Sequence, residues 1–68
     1  MNKIKHILKQ QGRTQIWLSE QLKLSKVTVA NYCNNKAQPK VDRLYDIADV
    51  LGVDIKDLLE SNKGENER

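Results

Sequence analysis

Apolar residues recur along this chain at intervals of three and four positions, and they nowhere alternate strictly with polar ones. That spacing is typical of helices with one buried face, whereas strands would show a two-residue period. Residues that commonly end a helix separate the apolar segments, namely Gly12, Asn34-Asn35, Pro39 and Gly52. Residues that commonly cap a helix begin four of them, namely Asn2, Thr14, Ser25 and Asp54. The pattern predicts an all-α fold of five helices.

The inward face of each helix gives the predicted core. In chain order, these faces carry Ile4, Ile7 and Leu8; Leu18, Ser19 and Leu22; Val29, Tyr32 and Cys33; Val41, Leu44, Ile47, Ala48 and Leu51; and Ile55, Leu58 and Leu59. Tyr45 is also expected in the core. After Glu60 no apolar residue is left to bury, so we expect one domain over residues 1–60 and a disordered polar tail over residues 61–68.

The composition narrows the possible classes of protein. A chain of 68 residues has room for one small core. Cys33 and His6 are the only residues of their types, which excludes an intrachain disulfide and a zinc site made from Cys and His alone. No apolar run is long enough for a transmembrane helix, and no nucleophile–base set that would indicate an enzyme is recognisable. We therefore expect a reduced, cytoplasmic protein that is not an enzyme and uses no metal or cofactor.

The charges are unevenly distributed between the two ends of the chain. Residues 1–40 carry eight Lys or Arg against the single acid Glu20, a balance of +7. Residues 41–68 carry four basic residues against eight acids, a balance of −4. One end therefore suits a polyanion, which indicates nucleic acid or an anionic membrane surface unless the segregation is accidental.

The stretch from Gln15 to Asn34 meets the packing demands of a helix-turn-helix unit. Two helices that cross steeply need a small residue at the crossing, and apolar residues before, within and after a short turn. Ser19 is the small residue, and Leu24 is the apolar residue of the turn. Val29 follows on the inner face of the third helix. The outer face of that helix is left free for a partner.

On these residues the chain resembles the Cro/repressor-type helix-turn-helix proteins, the xenobiotic-response-element family of bacterial and phage regulators. Residues 14–22, TQIWLSEQL, are similar to the family's S-Q-x-x-L-A-x-x-L. Residues 24–29, LSKVTV, are similar to its V-S-x-x-T-I. The resemblance covers roughly residues 4–59. It implies a compact five-helix, lambda-repressor-like fold that binds double-stranded DNA through the third helix, with the helix-turn-helix at helices 2 and 3.

The resemblance also implies which side chains face DNA. Those expected at base edges in the major groove are Lys26, Val27, Thr28 and Asn31. Those expected to contact phosphates or to brace the base-reading residues are Thr14, Gln15, Ser25, Asn34, Asn35, Lys36 and Lys40. The residue types suit base reading, because Asn can pair with adenine, Lys with guanine, and Val or Thr can pack on a thymine methyl. Several alternatives stay open. Lys26 could contact a phosphate instead, and Asn31 or Gln15 could be a solvated surface residue. Lys36 and Lys40 could be ordinary solvated charges.

Three features depart from the family pattern. Lys23 stands where the family has a turn glycine, so a left-handed backbone at this residue would cost roughly 1–2 kcal/mol. Leu8 and Cys33 replace an Arg–Glu pair that members often bury, which exchanges an ion pair for an apolar contact. Ile16 and Trp17 stand where the family is usually polar, and Trp17 is expected either against the first helix or at a partner surface.

The charge pattern and the resemblance together predict a sequence-specific transcriptional regulator, with repression favoured, that acts as a homodimer on double-stranded DNA. The dimer surface is sought around the last helix, where the core competes for the same residues: Val53, Ile55, Leu58 and Leu59. The alternative is an antitoxin or controller-type interaction protein whose main contact is another protein. We do not expect the basic first helix to attach to a membrane, because its apolar residues are needed in the core.

Overall fold

The computed structural model describes residues 1–59, which form four α-helices and one short 3-10 helix. The elements are α1 (Ile4–Gln11), α2 (Gln15–Leu22), α3 (Lys26–Cys33), α4 (Val41–Leu51) and the 3-10 helix (Ile55–Leu58). The all-α fold with five elements is confirmed. The last element is not the predicted α-helix, because the chain becomes extended at Leu59 and pairs there with Asn2. The tail expected over residues 61–68 lies outside the described residues.

The N-terminal ends of α2 and α3 are set by local hydrogen bonds. Thr14 Oγ1 accepts from the Trp17 backbone N–H at 2.9 Å. Ser25 Oγ accepts from the Thr28 backbone N–H at 3.0 Å. Each bond satisfies a donor that the first turn of a helix leaves without an intrahelical partner. Both predicted caps are confirmed.

The C-terminal ends depend on left-handed residues. Gly12 ends α1 with a φ of 68°, and Gly52 ends α4 with a φ of 69°, as the sequence predicts. After α3 the left-handed residue is Asn35, with a φ of 60°, whereas Asn34 has a φ of −93°. A side chain is strained in this region, so Gly and Asn are the residues that tolerate it.

One hydrophobic core joins all five elements. Its buried residues are Ile4, Ile7, Leu8, Leu18, Val29, Cys33, Leu44, Ile47, Ala48, Leu51 and Leu58. Leu22, Tyr32 and Ile55 are partly buried at its edge. The C-terminal ends of α1 and α4 are also tied together, because Gln11 Nε2 donates to the Leu51 carbonyl at 2.8 Å. Among residues 1–59, no helix has the length and apolar character needed to cross a membrane.

Three apolar residues do not lie where the helical period predicts. Val41 is 62% exposed and Tyr45 is 55% exposed, although both were expected in the core. Val41 lies in the first turn of α4, beyond the end of the core, and Pro39 is buried at that end instead. Tyr45 follows Val41 by one turn on the same side of α4 and is exposed with it. Leu59, expected on the inward face, is 44% exposed.

Asn2 has a structural role that its predicted capping function does not describe. Its Oδ1 accepts from the Ile4 N–H at 3.1 Å, but Lys3 stands at the N-cap position. Its Nδ2 donates to the Tyr32 carbonyl at 2.9 Å and to Gln38 Oε1 at 3.0 Å. Asn2 is only 5% exposed, so a buried amide joins the N-terminus to the segment between α3 and α4.

Candidate nucleic-acid interface

The connection between α2 and α3 has the geometry of a helix-turn-helix. α2 ends at Lys23, whose φ of 58° and ψ of 42° place it in the left-handed region. The Leu24 N–H then donates to the Ser19 carbonyl at 3.0 Å, and Ser25 begins α3. Ser19 is 3% exposed, and its hydroxyl donates to the Ile16 carbonyl at 2.7 Å. The core therefore accommodates this small residue without leaving its hydroxyl unsatisfied.

α3 is held by one face and open to solvent on the other. Val29 is fully buried, and Cys33, one turn later, is 3% exposed. Val27 is 69% exposed, and Lys26 beside it is also exposed. These two residues occupy the N-terminal half of α3. An apolar side chain and an ammonium group are thus both exposed at the N-terminal end of α3.

The hydroxyls of Ser25 and Thr28 form a paired unit at the start of α3. Ser25 Oγ accepts from the Thr28 N–H and donates to Thr28 Oγ1 at 2.8 Å. The Thr28 hydroxyl proton is then free to point away from the helix, because Oγ1 is the acceptor of that bond. Ser25 is therefore a bracing residue, and Thr28 offers one hydroxyl donor and one methyl group to a ligand.

Asn31 lies half-exposed in a groove between α3 and the beginning of α4. Its side-chain amide has no hydrogen-bond partner among residues 1–59, so its donor and acceptor groups face outward. Lys40 and Arg43 line the same groove, together with Asp42 and Asp46. Arg43 was not singled out from sequence, because a count by chain segment places it in the acidic half. Its helical spacing from Lys40 is the signal that would have indicated it.

Thr14 and Gln15 lie at the start of α2, beside the end of α1. They share a shallow groove with Lys5, Lys9 and Arg13. The Thr14 hydroxyl is used in capping, whereas the Gln15 side chain makes no hydrogen bond within the described part of the chain. The first turn of α2, which begins at Gln15, adds backbone N–H groups beside that groove. Amide, ammonium and backbone donors together are the chemistry that a phosphate requires.

The remaining predicted phosphate contacts lie at the end of α3 and in the segment that follows it. Asn34, Lys36 and Lys40 are exposed. Asn35 is used internally, because its Oδ1 accepts from the Asn2 backbone N–H at 2.9 Å and from Gln38 Nε2 at 3.0 Å. Only the Asn35 amide nitrogen is left to donate to a phosphate.

Trp17 packs within the chain. The ring is partly buried against the core, and the Arg13 guanidinium lies 4.0 Å from the ring centroid. This distance is within the range of a cation–π interaction. The partial burial of the ring agrees with the expectation that Trp17 packs within the molecule, and its role at a partner surface stays a prediction. Its neighbour Ile16 is 49% exposed.

Cys33 behaves as an apolar residue of α3. It shares the core with Leu8, and each residue is 3% exposed. Burial raises the pKa of the Cys33 thiol, an effect that the positive charge of Lys5 partly opposes. The thiol is therefore protonated at neutral pH, which suits an apolar contact in place of a buried ion pair.

Comparison with known proteins identifies the same unit. A helix-turn-helix family model matches residues 4–58. The crystal structure of a candidate DNA-binding protein from Bacteroides fragilis is similar, with a TM-score of 0.83 and 41% sequence identity. The similarity covers 85% of this chain and 94% of that one. A search of curated proteins finds no significant match.

Proposed function

Because the chain belongs to the Cro/C1-type helix-turn-helix family of DNA-binding regulators, we propose that it binds double-stranded DNA sequence-specifically, with α3 in the major groove. The observation that carries this proposal is the open face of α3. That face presents Lys26, Val27 and Asn31, whose side chains make no hydrogen bond within residues 1–59. It also presents Thr28, whose methyl group and hydroxyl proton remain available.

Each of these side chains has a definite chemistry at a base edge. The free amide of Asn31 can form a bidentate pair with adenine. Its N–H₂ group would donate to N7, and its oxygen would accept from the N6 amino group. Val27 and the Thr28 methyl suit thymine methyl groups, and Lys26 suits guanine or a neighbouring phosphate. A half-site that contains adenine and thymine next to guanine would use all four.

The flanking residues are proposed to position the protein without reading sequence. The first turn of α2, with Gln15, would meet a phosphate on one side of α3. Lys36 and Lys40 would meet phosphates on the other side. Such contacts fix the register of α3 in the groove, and they also make the affinity fall steeply with salt.

We further propose that the protein is a repressor that acts as a homodimer. One copy of α3 reads few base pairs, whereas two copies related by a two-fold axis read half-sites about 10 base pairs apart. Occupation of a site that overlaps a promoter is sufficient for repression. An antitoxin or controller role, in which a second protein is the main partner, is the outcome to consider if DNA selection fails.

The decisive experiment is selection of bound duplexes from a random pool at about 150 mM salt, where specific binding outlasts nonspecific phosphate binding. An enriched inverted repeat would support the proposal in full, and a single enriched half-site would support it without the dimer. The absence of any enriched sequence, with protein shown by circular dichroism to be folded, would contradict it.

Asn31→Ala tests the base-reading role directly. We expect it to lower the affinity for the selected duplex by roughly 5- to 150-fold, the effect of about 1–3 kcal/mol of lost base contact. The affinity for a scrambled duplex should change little. Gln10→Ala is the matched control, because it removes an exposed amide from α1. Equal effects of the two substitutions on the selected duplex would argue against base reading by Asn31.

A further inference from the structure

A basic ridge runs along the exposed side of α1. Lys5 and Lys9 are both exposed and lie one helical turn apart, so their side chains project from one face. Two shallow grooves meet at this pair, and both lysines line both grooves. We name Lys5 and Lys9 the α1 ridge. Neither residue is among those that the helix-turn-helix pattern indicates.

The α1 ridge is a cationic surface without neighbouring acids. One of its grooves is also lined by Lys3 and the other by Arg13, and no acidic side chain of residues 1–59 lines either of them. The groove beside Asn31 is different, because Asp42 and Asp46 line it together with two basic residues. The two grooves beside the ridge therefore carry positive charge that no acid in their lining compensates.

The position of the α1 ridge relates it to the proposed DNA interface. The groove on one side of the ridge contains Gln15 at the start of α2. The groove on the other side contains Asn35, after α3. Gln15 is a proposed phosphate contact, and Asn35 directly precedes another, Lys36, so the ridge lies between two points at which the protein would approach the DNA backbone.

The chemistry of α1 favours a polyanion over a lipid surface. Its apolar residues Ile4, Ile7 and Leu8 are buried in the core, which leaves no apolar side chain on α1 to insert into a membrane. Attraction at the ridge is therefore purely electrostatic. A regular row of phosphates on a duplex provides that attraction without requiring apolar contact.

We propose that Lys5 and Lys9 bind DNA phosphates beyond those contacted by α2, α3 and the α3–α4 segment, and so extend the footprint without adding sequence preference. This proposal rests on the proposed function. It makes α1 a second, sequence-independent contact surface in the same complex.

The test is the salt dependence of binding to the selected duplex, measured by fluorescence anisotropy for wild type and for Lys5→Gln/Lys9→Gln. Two lost phosphate contacts should reduce the slope of log K against log salt by about 1.8. Between 50 and 200 mM salt, wild type should then lose roughly 12-fold more affinity than the variant. The affinity for a scrambled duplex should fall by the same factor as the affinity for the selected one.

Lys56→Gln is the matched control, because it removes one exposed lysine from the acidic end of the chain. It should leave the slope unchanged, and circular dichroism should show that all variants are folded. A slope that is unchanged in the double variant, or changed equally by Lys56→Gln, would overturn the ridge proposal while leaving α3 as the reading helix. Binding of the ridge to phosphatidylserine vesicles with an unchanged DNA slope would also overturn it. If wild type bound no DNA, the proposed function would fail first and the ridge proposal with it.

Discussion

Two residues other than glycine adopt left-handed backbone conformations, and they do so for different reasons. Asn35, with a φ of 60°, places its side chain where two hydrogen-bond donors reach Oδ1. Lys23, with a φ of 58°, has an exposed side chain and gains no such compensation. Its conformation is imposed by the turn that connects α2 to α3. Lys23 is therefore a residue at which the backbone is strained without a side-chain benefit.

Replacement of Lys23 by glycine should stabilise the protein. The left-handed region costs a side chain roughly 1–2 kcal/mol, and the greater freedom of glycine in the unfolded chain offsets roughly 0.5–1 kcal/mol. The expected net gain is therefore about 1 kcal/mol or less, visible as a rise of a few degrees in Tm. Thermal unfolding followed by circular dichroism measures it.

Asn35→Gly is the matched comparison for Lys23→Gly. It relieves the same backbone strain but removes the acceptor used by the Asn2 N–H and by Gln38. Loss of those bonds should cost about 1 kcal/mol or more, so this substitution should not stabilise the fold. If both glycine variants raised Tm equally, the interpretation of Asn35 as a bonded residue would be wrong.

At the scale of the helices, the sequence predicts the N-terminal caps, but it does not predict which helix ends pack against the core. Thr14 and Ser25 cap their helices because the bond that each makes lies within three residues of the chain. The exposure of Val41 depends instead on where the core ends, and the spacing of apolar residues does not encode that position. Sequence spacing therefore predicts which face of a helix points inward, but not how many turns of that face the core covers.

Asn2 shows the same limit of sequence spacing, because Tyr32 and Gln38, to which its side chain donates, are distant in the sequence. Its replacement by alanine tests how much these contacts stabilise the fold. Asn2→Ala removes three side-chain hydrogen bonds, including those to the Ile4 N–H and the Tyr32 carbonyl. The Ile4 N–H loses its acceptor, whereas the Tyr32 carbonyl still accepts from the Asn35 N–H. The free energy of unfolding should therefore fall by roughly 1–3 kcal/mol. Urea unfolding measures this loss.

Asn2→Asp separates this joining role from simple capping. Aspartate keeps an acceptor for the Ile4 N–H and suits a helix N-terminus, but it places an oxygen where Nδ2 now donates to the Tyr32 carbonyl. It should therefore destabilise the protein about as much as alanine does. An aspartate variant as stable as wild type would show that Asn2 acts only as a cap.

At the scale of the whole molecule, the sequence predicts a face for DNA, and the structure places further basic residues beside the predicted contacts. The charge balance of +7 over residues 1–40 pointed to a polyanion, and the pattern around the turn pointed to α3. Tertiary packing brings Lys5 and Lys9 beside Asn35, and it brings Arg43 into the groove that contains Asn31. A count along the chain does not show these neighbours, because α1 and α4 are separated in sequence from the end of α3.

The predicted dimer surface is likewise altered by packing. Leu58 has no exposed surface, so it belongs to the core and is removed from the surface proposed for the dimer. Val53 and Ile55 are partly buried, whereas Leu59 is 44% exposed. Leu59 pairs with Asn2 in an isolated bridge, which brings it near the 71% exposed Met1. An exposed apolar pair therefore lies where the two ends of the described chain meet.

If this pair lies at the centre of the homodimer interface, Leu59→Glu should shift the protein to monomer, because two like charges would meet across the two-fold axis. Sedimentation equilibrium measures the shift. Affinity for an inverted repeat should fall, while affinity for a single half-site should remain, because α3 is untouched. Val41→Glu is the matched control. Val41 is 62% exposed and lies in the first turn of α4, whereas Leu59 follows the 3-10 helix. Replacement of Val41 should therefore leave association unchanged. Equal weakening of association by both variants would mean that general negative charge, and not contact through Leu59, controls the assembly.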